Sequence, residues 1–584
     1  MSADKLLQEF PSVSTQSWEE AITKDLKGAD YAKRLIWQSE DGLALKPYYR
    51  AEDIAGLEYL DAAPGDFPYA RSDRSTGDWR IREEIDAADP AKANQAALTA
   101  VVAGAEEIAF RGVLVKDAPG LARLLANLQE IPVHFQNADE SLIHLLISRL
   151  IEGQKPSPIS MSTDWDPLTN LDLAAEILAS APPALKPFTI HGDGFEESGA
   201  TAVEEVGFTL AAAIDFLAEM QSRKLDVNRA AGSITFSFAI GANYFFQIAK
   251  LRAFRLLWAR AVESFGGTRE SAKARIHART SRWNETIYDP HVNILRGTTE
   301  AMSAVLGSAD SISVAPFDEC YKAPDDASRR LARNTQILLK QEALLSRVAD
   351  PGGGSYCIEV ITDFIAREGW KAMQAIEAAG GYRKAQAQIT RALEQSLAAR
   401  EKAVLSRRRI FTGTNQHANL SEKALDRIDA SRLTGEKRGA QIYEQLRLRT
   451  ERHAAQTGKS PRVLLAEIGD VKMRSARSGF AANFFGCAGF TIVTKRFDST
   501  DEIAASDADL IVLCSSDPEY PALAAELIAK LKALGHTTPV IVAGYPDSAE
   551  QLKAVGVADF VHIRSNPIEV LTKWQQQLGI AVRE

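Results

Sequence analysis

A chain of 584 residues is too long for one hydrophobic core, and two or three domains are expected. Hydrophobic residues at 45% and charged residues at 25% are ordinary for a globular protein, while a net charge of −9, from 68 basic and 77 acidic residues, argues against a nucleic-acid binder. No apolar run reaches the roughly 18 residues of a membrane span, and the opening Met1–Phe10 stretch has neither a basic start with an apolar core nor an Arg-rich character, so a cytoplasmic location is expected.

Residues 1–60 read as an arm rather than a domain. Ser17 is the expected N-cap of a helix through Trp18, Glu19 and Glu20. Trp18, Trp37, Tyr48 and Tyr49 follow no core period, which points to packing on the chain's own next domain or on another subunit. From 61 to 400, short apolar runs alternate with longer amphipathic stretches. Strands are expected at Glu107–Phe110, Ile131–Phe135, Phe188–Gly192, Ser233–Ser237 and Ile312–Ala315, with a helix at Leu121–Leu128. Repeated β-then-α units of this kind favour a TIM (β/α)8 barrel over a doubly wound open sheet.

Residues 401–459 are rich in Arg, Glu, Lys and Gln, and Tyr443–His453 reads as a solvated linker helix. Ser460-Pro461 opens a last domain, 460–584. Its expected strands are Arg462–Glu467, Phe490–Thr494, Leu510–Cys514, Pro539–Ala543 and Asp559–His562, with a long loop at Glu467–Gly479 and a helix at Phe480–Gly486. Five strands separated by helices fit a flavodoxin-like, Rossmann-type fold, in which ligands sit at the carboxyl ends of the strands. Cys320, Cys357, Cys487 and Cys514 are widely spaced without a CxxC pair, and reduced, buried thiols are expected rather than a disulfide framework or a zinc site.

Several long strings carry a family resemblance. They are Phe238-Ala-Ile-Gly-Ala-Asn-Tyr-Phe-Phe-Gln-Ile-Ala-Lys-Leu-Arg252, Leu256-Leu-Trp-Ala259, Asp289-Pro-His-Val-Asn-Ile-Leu-Arg296, Glu300-Ala-Met-Ser-Ala-Val-Leu-Gly307, Leu331-Ala-Arg-Asn-Thr-Gln336 and Asp350-Pro-Gly-Gly-Gly-Ser-Tyr356. In this order, and with an α/β domain following, they resemble the methylmalonyl-CoA mutase family of adenosylcobalamin-dependent isomerases. The resemblance implies a TIM barrel threaded by the CoA chain, joined to a flavodoxin-like B12-binding domain. It also implies propionate metabolism and, in bacteria, often a heterodimer of a catalytic large subunit with a smaller relative of the same architecture.

The positions that carry chemistry in the family depart from its pattern here. Catalytic relatives read Asp-x-His-x-x-Gly after the first strand of the B12 domain, since an imidazole nitrogen ligates cobalt and a carboxylate orients the ring. Alignment on the turn Gly489-Phe490 puts Lys472 and Arg474 at the Asp and His positions; alignment on Asp470 puts Lys472 at the His position. A protonated Lys or Arg has no lone pair to offer. His536 and His562 fall late in the fold, as surface or strand-end residues. Ser-x-Leu of relatives becomes Ser515-Ser516-Asp517, and Gly-Gly becomes Ala543-Gly544. Asp470, Lys472, Arg474, Ser515, Ser516 and Gly544 are therefore expected to be vestigial positions that bind no cofactor.

The barrel departs in the same way. The Tyr-His pair of relatives becomes Asp193-Gly194 within His191-Gly-Asp-Gly-Phe-Glu-Glu-Ser-Gly199, and His191, three residues early, is expected to be structural. Arg71-Ser-Asp-Arg74, before Gly77-Asp-Trp-Arg-Ile-Arg82, supplies no active-site tyrosine, and Thr-Ser-Gly-Trp becomes Thr280-Ser-Arg-Trp283. No catalytic and no metal-ligating residue is expected in this chain.

The expectation is a non-catalytic small subunit of a heterodimeric methylmalonyl-CoA mutase, which stabilises a homologous large subunit. Adenosylcobalamin, held by that partner, and acyl-CoA belong to the complex; no nucleic acid or membrane partner is expected. The alternatives are an active acyl-CoA mutase with atypical cofactor binding, or a CoA-binding regulatory subunit in which Arg252, Arg275, Arg279 and Arg282 meet phosphates.

Overall fold

The computed structural model describes residues 12–152, 160–433 and 437–582. Nine parallel strand segments form the first large sheet: β1 (Arg80–Asp86), β2 (Glu107–Arg111), β3 (Val133–Gln136), β4 (Met161–Thr163), β5 (Leu185–Lys186), β6 (Phe188–His191), β7 (Ile234–Ile240), β8 (Ile276–Thr280) and β9 (Ser311–Ser313). The sheet order runs β5-β4-β3-β2-β1-β9-β8-β7-β6. Its two ends, β5 and β6, are separated in the chain by Pro187 alone, so they act as one stave and the sheet closes on itself. The proline removes a ladder donor at that point. Side chains bridge the gap: the Thr163 hydroxyl donates to the Pro187 carbonyl at 2.6 Å, and the Thr189 hydroxyl donates to the Thr163 carbonyl at 2.7 Å. The result is a (β/α)8 barrel.

The barrel's outer layer is locked by buried charges as well as apolar packing. Helix α1 (Ala202–Ser222) begins with a capping box between Thr201 and Glu204. Lys250 on α2 (Tyr244–Ser264) pairs with Glu205 of α1 at 2.6 Å, and Arg252 pairs with Glu359 of α3 (Tyr356–Ala378) at 2.8 Å, all four side chains buried. Around these pairs α2 buries Phe246, Phe254 and Trp258, the last two edge-on against Phe236 of β7. The strings that carry the family resemblance thus build the framework.

The arm differs from the sequence reading at its start. The helix is Thr15–Asp25, and Ser14 rather than Ser17 is its cap: the Ser14 hydroxyl oxygen accepts from the Ser17 N–H at 3.1 Å. This helix buries no residue, and Trp18 is 51% exposed. Farther on the arm is tied to its own barrel: Asp41 accepts from the Val203 N–H at 2.9 Å, Trp37 meets Phe246 edge-on, and the Tyr59 hydroxyl donates to the Glu359 carbonyl.

Helix α4 (Gln441–Thr457) corrects another expectation, because it is buried rather than solvated. Glu444 accepts from the Ile287 N–H at 2.8 Å, and Glu451 accepts from the Tyr288 hydroxyl at 2.9 Å and the Ala424 N–H at 2.8 Å. The Arg447 guanidinium lies over the Tyr288 ring. Its charged residues meet partners supplied by the barrel and by the loop before it. On its far side Gln575 donates to the Leu446 carbonyl, which ties the helix to the last domain.

That domain is a five-stranded parallel sheet of β10 (Arg462–Glu467), β11 (Thr491–Arg496), β12 (Leu510–Cys514), β13 (Val540–Ala543) and β14 (Asp559–Val561), in the order β11-β10-β12-β13-β14. This is the flavodoxin-like order, with its crossover switch between β10 and β12. Cys320, Cys487 and Cys514 are buried free thiols; Cys357 is only half-buried, at the start of α3.

Candidate functional site

Two places in this fold are positioned to bind ligands: the carboxyl ends of the barrel strands and the carboxyl edge of the second sheet. In the bore, alternate residues of each strand point inward. Arg82 and Glu107, register partners on the neighbouring strands β1 and β2, pair within it at 2.6 Å with 1% of each side chain exposed. Above and beside them, His134 bonds Ser162 and His277 bonds Ser311, each at 2.9 Å. Both imidazoles are held well below their usual pKa, first by burial and then by the charge of Arg82. The space left in the bore is a cavity of ≈ 110 Å³, room for a few waters and not for an extended chain.

The mouth of the bore is crossed by a charge network centred on Glu319. One of its carboxylate oxygens lies 2.9 Å from Arg279, 3.0 Å from Arg282 and 3.9 Å from Arg111. Glu84 adds a second carboxylate, 3.4 Å from Arg279. Burial opposes the charge on Glu319, but the three guanidiniums hold its carboxyl below the usual range. Arg282, the residue standing where relatives have glycine, therefore lies over the bore, while Trp283 beside it is buried against Phe411 under Arg409.

His191 sits at the end of β6. Its Nε2 is 2.7 Å from the Asp164 carbonyl oxygen and its Nδ1 is 3.4 Å from Asp193. Burial works against protonation, yet Asp193 and the Asp164 carbonyl raise the imidazole to about 9. Burial likewise opposes the charge of Asp193, which its bond to His191 lowers to about 2. As an imidazolium, His191 spends both N–H groups on these two acceptors and keeps no lone pair. Arg71 and Arg74 lie at the opposite, amino-terminal end of the barrel. There Arg71 pairs with Asp350 at 3.0 Å, and Arg74 pairs with Asp310, which precedes β9.

At the second sheet the expected loop is shorter than the sequence reading placed it. Helix α5 (Val471–Gly486) starts after only three intervening residues beyond β10, capped by Asp470, which accepts from the Met473 N–H at 2.8 Å. Lys472 is exposed in the first turn. Arg474 is buried and donates back to the Gly469 carbonyl at 3.0 Å. Ser515, Ser516 and Asp470 are drawn together by Glu519: its carboxylate accepts from both hydroxyls at 2.6 Å and from the Asp470 N–H at 3.1 Å. These bonds, from Ser515 and Ser516 first, lower Glu519 to about 2. The approach is so close that a Cβ on Gly469, at φ +77°, would stand 2.5 Å from the Glu519 carboxylate.

Gly544 has a neighbour that the sequence reading did not single out. Arg477 of α5 reaches across the sheet edge, pairs with Asp517 at 2.9 Å and lies over Gly544, where a Cβ would meet its Nη1 at 2.8 Å. The signal for it was Asp517: a carboxylate in a slot that relatives line with leucine calls for a cation nearby. His562 is a strand-end residue whose ring lies tilted against Tyr545, and His536 is exposed. The arginines considered for phosphate contact have other duties: Arg252 meets Glu359 and Asp350, Arg279 and Arg282 meet Glu319, and half-buried Arg275 sits within the charge field of Glu107.

Comparison with known proteins gives the arrangement its family. Residues 167–471 match the family model described as methylmalonyl-CoA mutase. A methylmalonyl-CoA mutase small subunit of Porphyromonas gingivalis is 37% identical, over 99% of this chain and 99% of its own length. A small subunit of Streptomyces virginiae is 32% identical over 99% and 98%, while a large subunit of the same organism is 29% identical over 78% of this chain and 69% of its own. The chain belongs to the methylmalonyl-CoA mutase family and is similar over its whole length to the small subunits.

Proposed function

We propose that this chain is the small, non-catalytic subunit of a heterodimeric adenosylcobalamin-dependent methylmalonyl-CoA mutase. In that complex it stabilises a homologous large subunit, which carries the cofactor and interconverts methylmalonyl-CoA and succinyl-CoA. The partition into an arm (1–60), a barrel (61–400), a linking segment (401–459) and a degenerate cobalamin-binding-like domain (460–584) is part of this reading. The observation that carries it is the double occupation of the ligand positions by the chain's own side chains. Arg82 and Glu107 fill the bore, and Arg477 with Asp517 fills the slot beside Gly544.

The residues present do not fit a corrinoid. Arg474 and Lys472 are cations at the positions aligned with the cobalt ligand, Arg474 already bonded to Gly469, and Asp470 caps its own helix. The barrel mouth does not fit a thioester either, since His191 is saturated and Arg279, Arg282 and Glu319 span the opening. The exposed helix Thr15–Asp25, with Trp18 half out of its own fold, supports a partner surface on the arm. Co-expression with a homologous large subunit tests the reading. The pair should co-purify as a one-to-one complex with mutase turnover, and this chain alone should show none. Turnover by this chain without a partner would overturn it.

A further inference from the structure

A second cavity opens beside the bore and shares Arg82, Glu84 and Arg279 with it. It is a cleft of ≈ 760 Å³ at the side of the barrel, between the helices Pro90–Val102 and Asp326–Ile337. Its volume falls in the range of small-molecule sites. Ile85, Val314 and Pro316 supply apolar lining, and the small Ala93, Ala96 and Ala332 leave room between the helices. Deep in the cleft the Ser313 hydroxyl is buried, at 3% exposure, and has no hydrogen-bond partner. An unpaired buried hydroxyl costs about 1–3 kcal/mol in proteins, so a polar group of a ligand at that point recovers a bond the chain leaves unmade.

The charges of the cleft are uneven in a useful way. Most of its cations are spent: Arg111 on Asp86, Arg279 on Glu319, Arg329 on Asp326 and Arg333 on Glu83. Lys92 and Arg330 are different. They stand on the two opposing helices, both exposed, and among the described residues neither side chain makes a hydrogen bond or an ion pair. Gln95, one turn beyond Lys92 on the same face, leaves its amide open as well. The cleft therefore has two unspent positive charges at its rim, a partly apolar lining, and an unsatisfied hydroxyl among its buried residues.

We infer that this cleft binds an extended organic phosphate, with the phosphate between Lys92 and Arg330 and a polar-tipped tail reaching Ser313. Phosphate matches a Lys point charge and an Arg fork at the rim, and the volume admits a tail behind it. The inference does not rest on the chain's role in a mutase: the rim cations Lys92 and Arg330 lie outside the bore and away from the edge of the second sheet, and it holds for the chain alone.

The test is calorimetric titration of the purified full-length chain with three probes: 4′-phosphopantetheine, ADP and inorganic phosphate. At least one of the two esters should bind saturably, at least tenfold more tightly than inorganic phosphate. Charge reversal in Lys92→Glu/Arg330→Glu should weaken that binding at least tenfold. Ala96→Trp, which fills the cleft from an exposed position, should abolish it. Both variants alter exposed side chains and should keep the parent's circular dichroism and thermal midpoint. The inference is overturned by no saturable ester binding, by inorganic phosphate binding as tightly as the esters, or by ester binding that survives both variants.

Discussion

The Arg477 guanidinium lies against Gly544 and pairs with Asp517 at 2.9 Å, across the carboxyl edge of the second sheet. One side chain thus does two things: it neutralises a carboxylate that has replaced an apolar residue, and it takes the space that a missing Cβ leaves open. Since Arg477 is a quarter exposed and Asp517 about half, the pair is worth no more than about 1 kcal/mol. Arg477→Ala should therefore lower stability by about that amount in urea denaturation. It should not produce cobalamin binding, because the variant still offers cobalt no imidazole.

The pair inside the bore should behave very differently. Glu107→Ala leaves Arg82 charged, buried and without its partner, which costs about 3–5 kcal/mol. The double replacement Arg82→Met/Glu107→Leu removes both charges together and should recover most of that loss. Denaturant titration of the parent, the single and the double variant gives the comparison. A single variant as stable as the parent would mean that the bore is wet and open.

The His191–Asp193 pair gives a pH signature. A histidine raised from its usual 6.5 to about 9 in the folded chain stabilises it fully below pH 6.5, and this contribution is lost as pH rises through 9. With 37% of the His191 side chain exposed, solvent screening leaves about 1 kcal/mol of it. The stability difference between the parent and His191→Asn should therefore be largest near pH 6 and should vanish above pH 9. Asp193 works in the other direction: lowered to about 2, it contributes above its usual value of 3.8 and is lost as pH falls toward 2.

Helix α4 provides a check on how the two large units are joined. A carboxylate on a solvated linker can be removed for less than 0.5 kcal/mol. Glu451 instead accepts from the Tyr288 hydroxyl and from the N–H groups of Ala424 and Leu425. Glu451→Ala should cost about 2–4 kcal/mol, measured as a drop in the denaturation midpoint at unchanged slope.

What the sequence made legible follows from where apolar residues fall. Strands β10 and β12 match their expected limits because Val463, Leu464 and Leu465, and the run Leu510–Cys514, are buried on both faces of a parallel sheet. The sequence reading places no strand at β1, β4, β5 or β8. They are short, or carry Arg82, Ser162, His277 and Arg279 toward the bore, so no apolar period marks them. Helix α4 was placed but misjudged. Its Glu and Arg residues resemble a solvated face until Tyr288 and Ile287, over 150 positions away in the chain, come to meet them. At the candidate site, the absence of an imidazole around Asp470 was plain in the sequence. The start of α5 at Val471, the gathering of Ser515 and Ser516 by Glu519, and the reach of Arg477 depend on tertiary contacts that no local pattern encodes.

The central claim, that this chain holds no corrinoid, is tested most directly by titrating the purified chain alone with adenosylcobalamin and following the visible spectrum and the bound fraction after dialysis. The account predicts no saturable binding and an unaltered base-on spectrum up to millimolar cofactor. Saturable binding, with a spectral shift to a protein-coordinated cobalt, would contradict it.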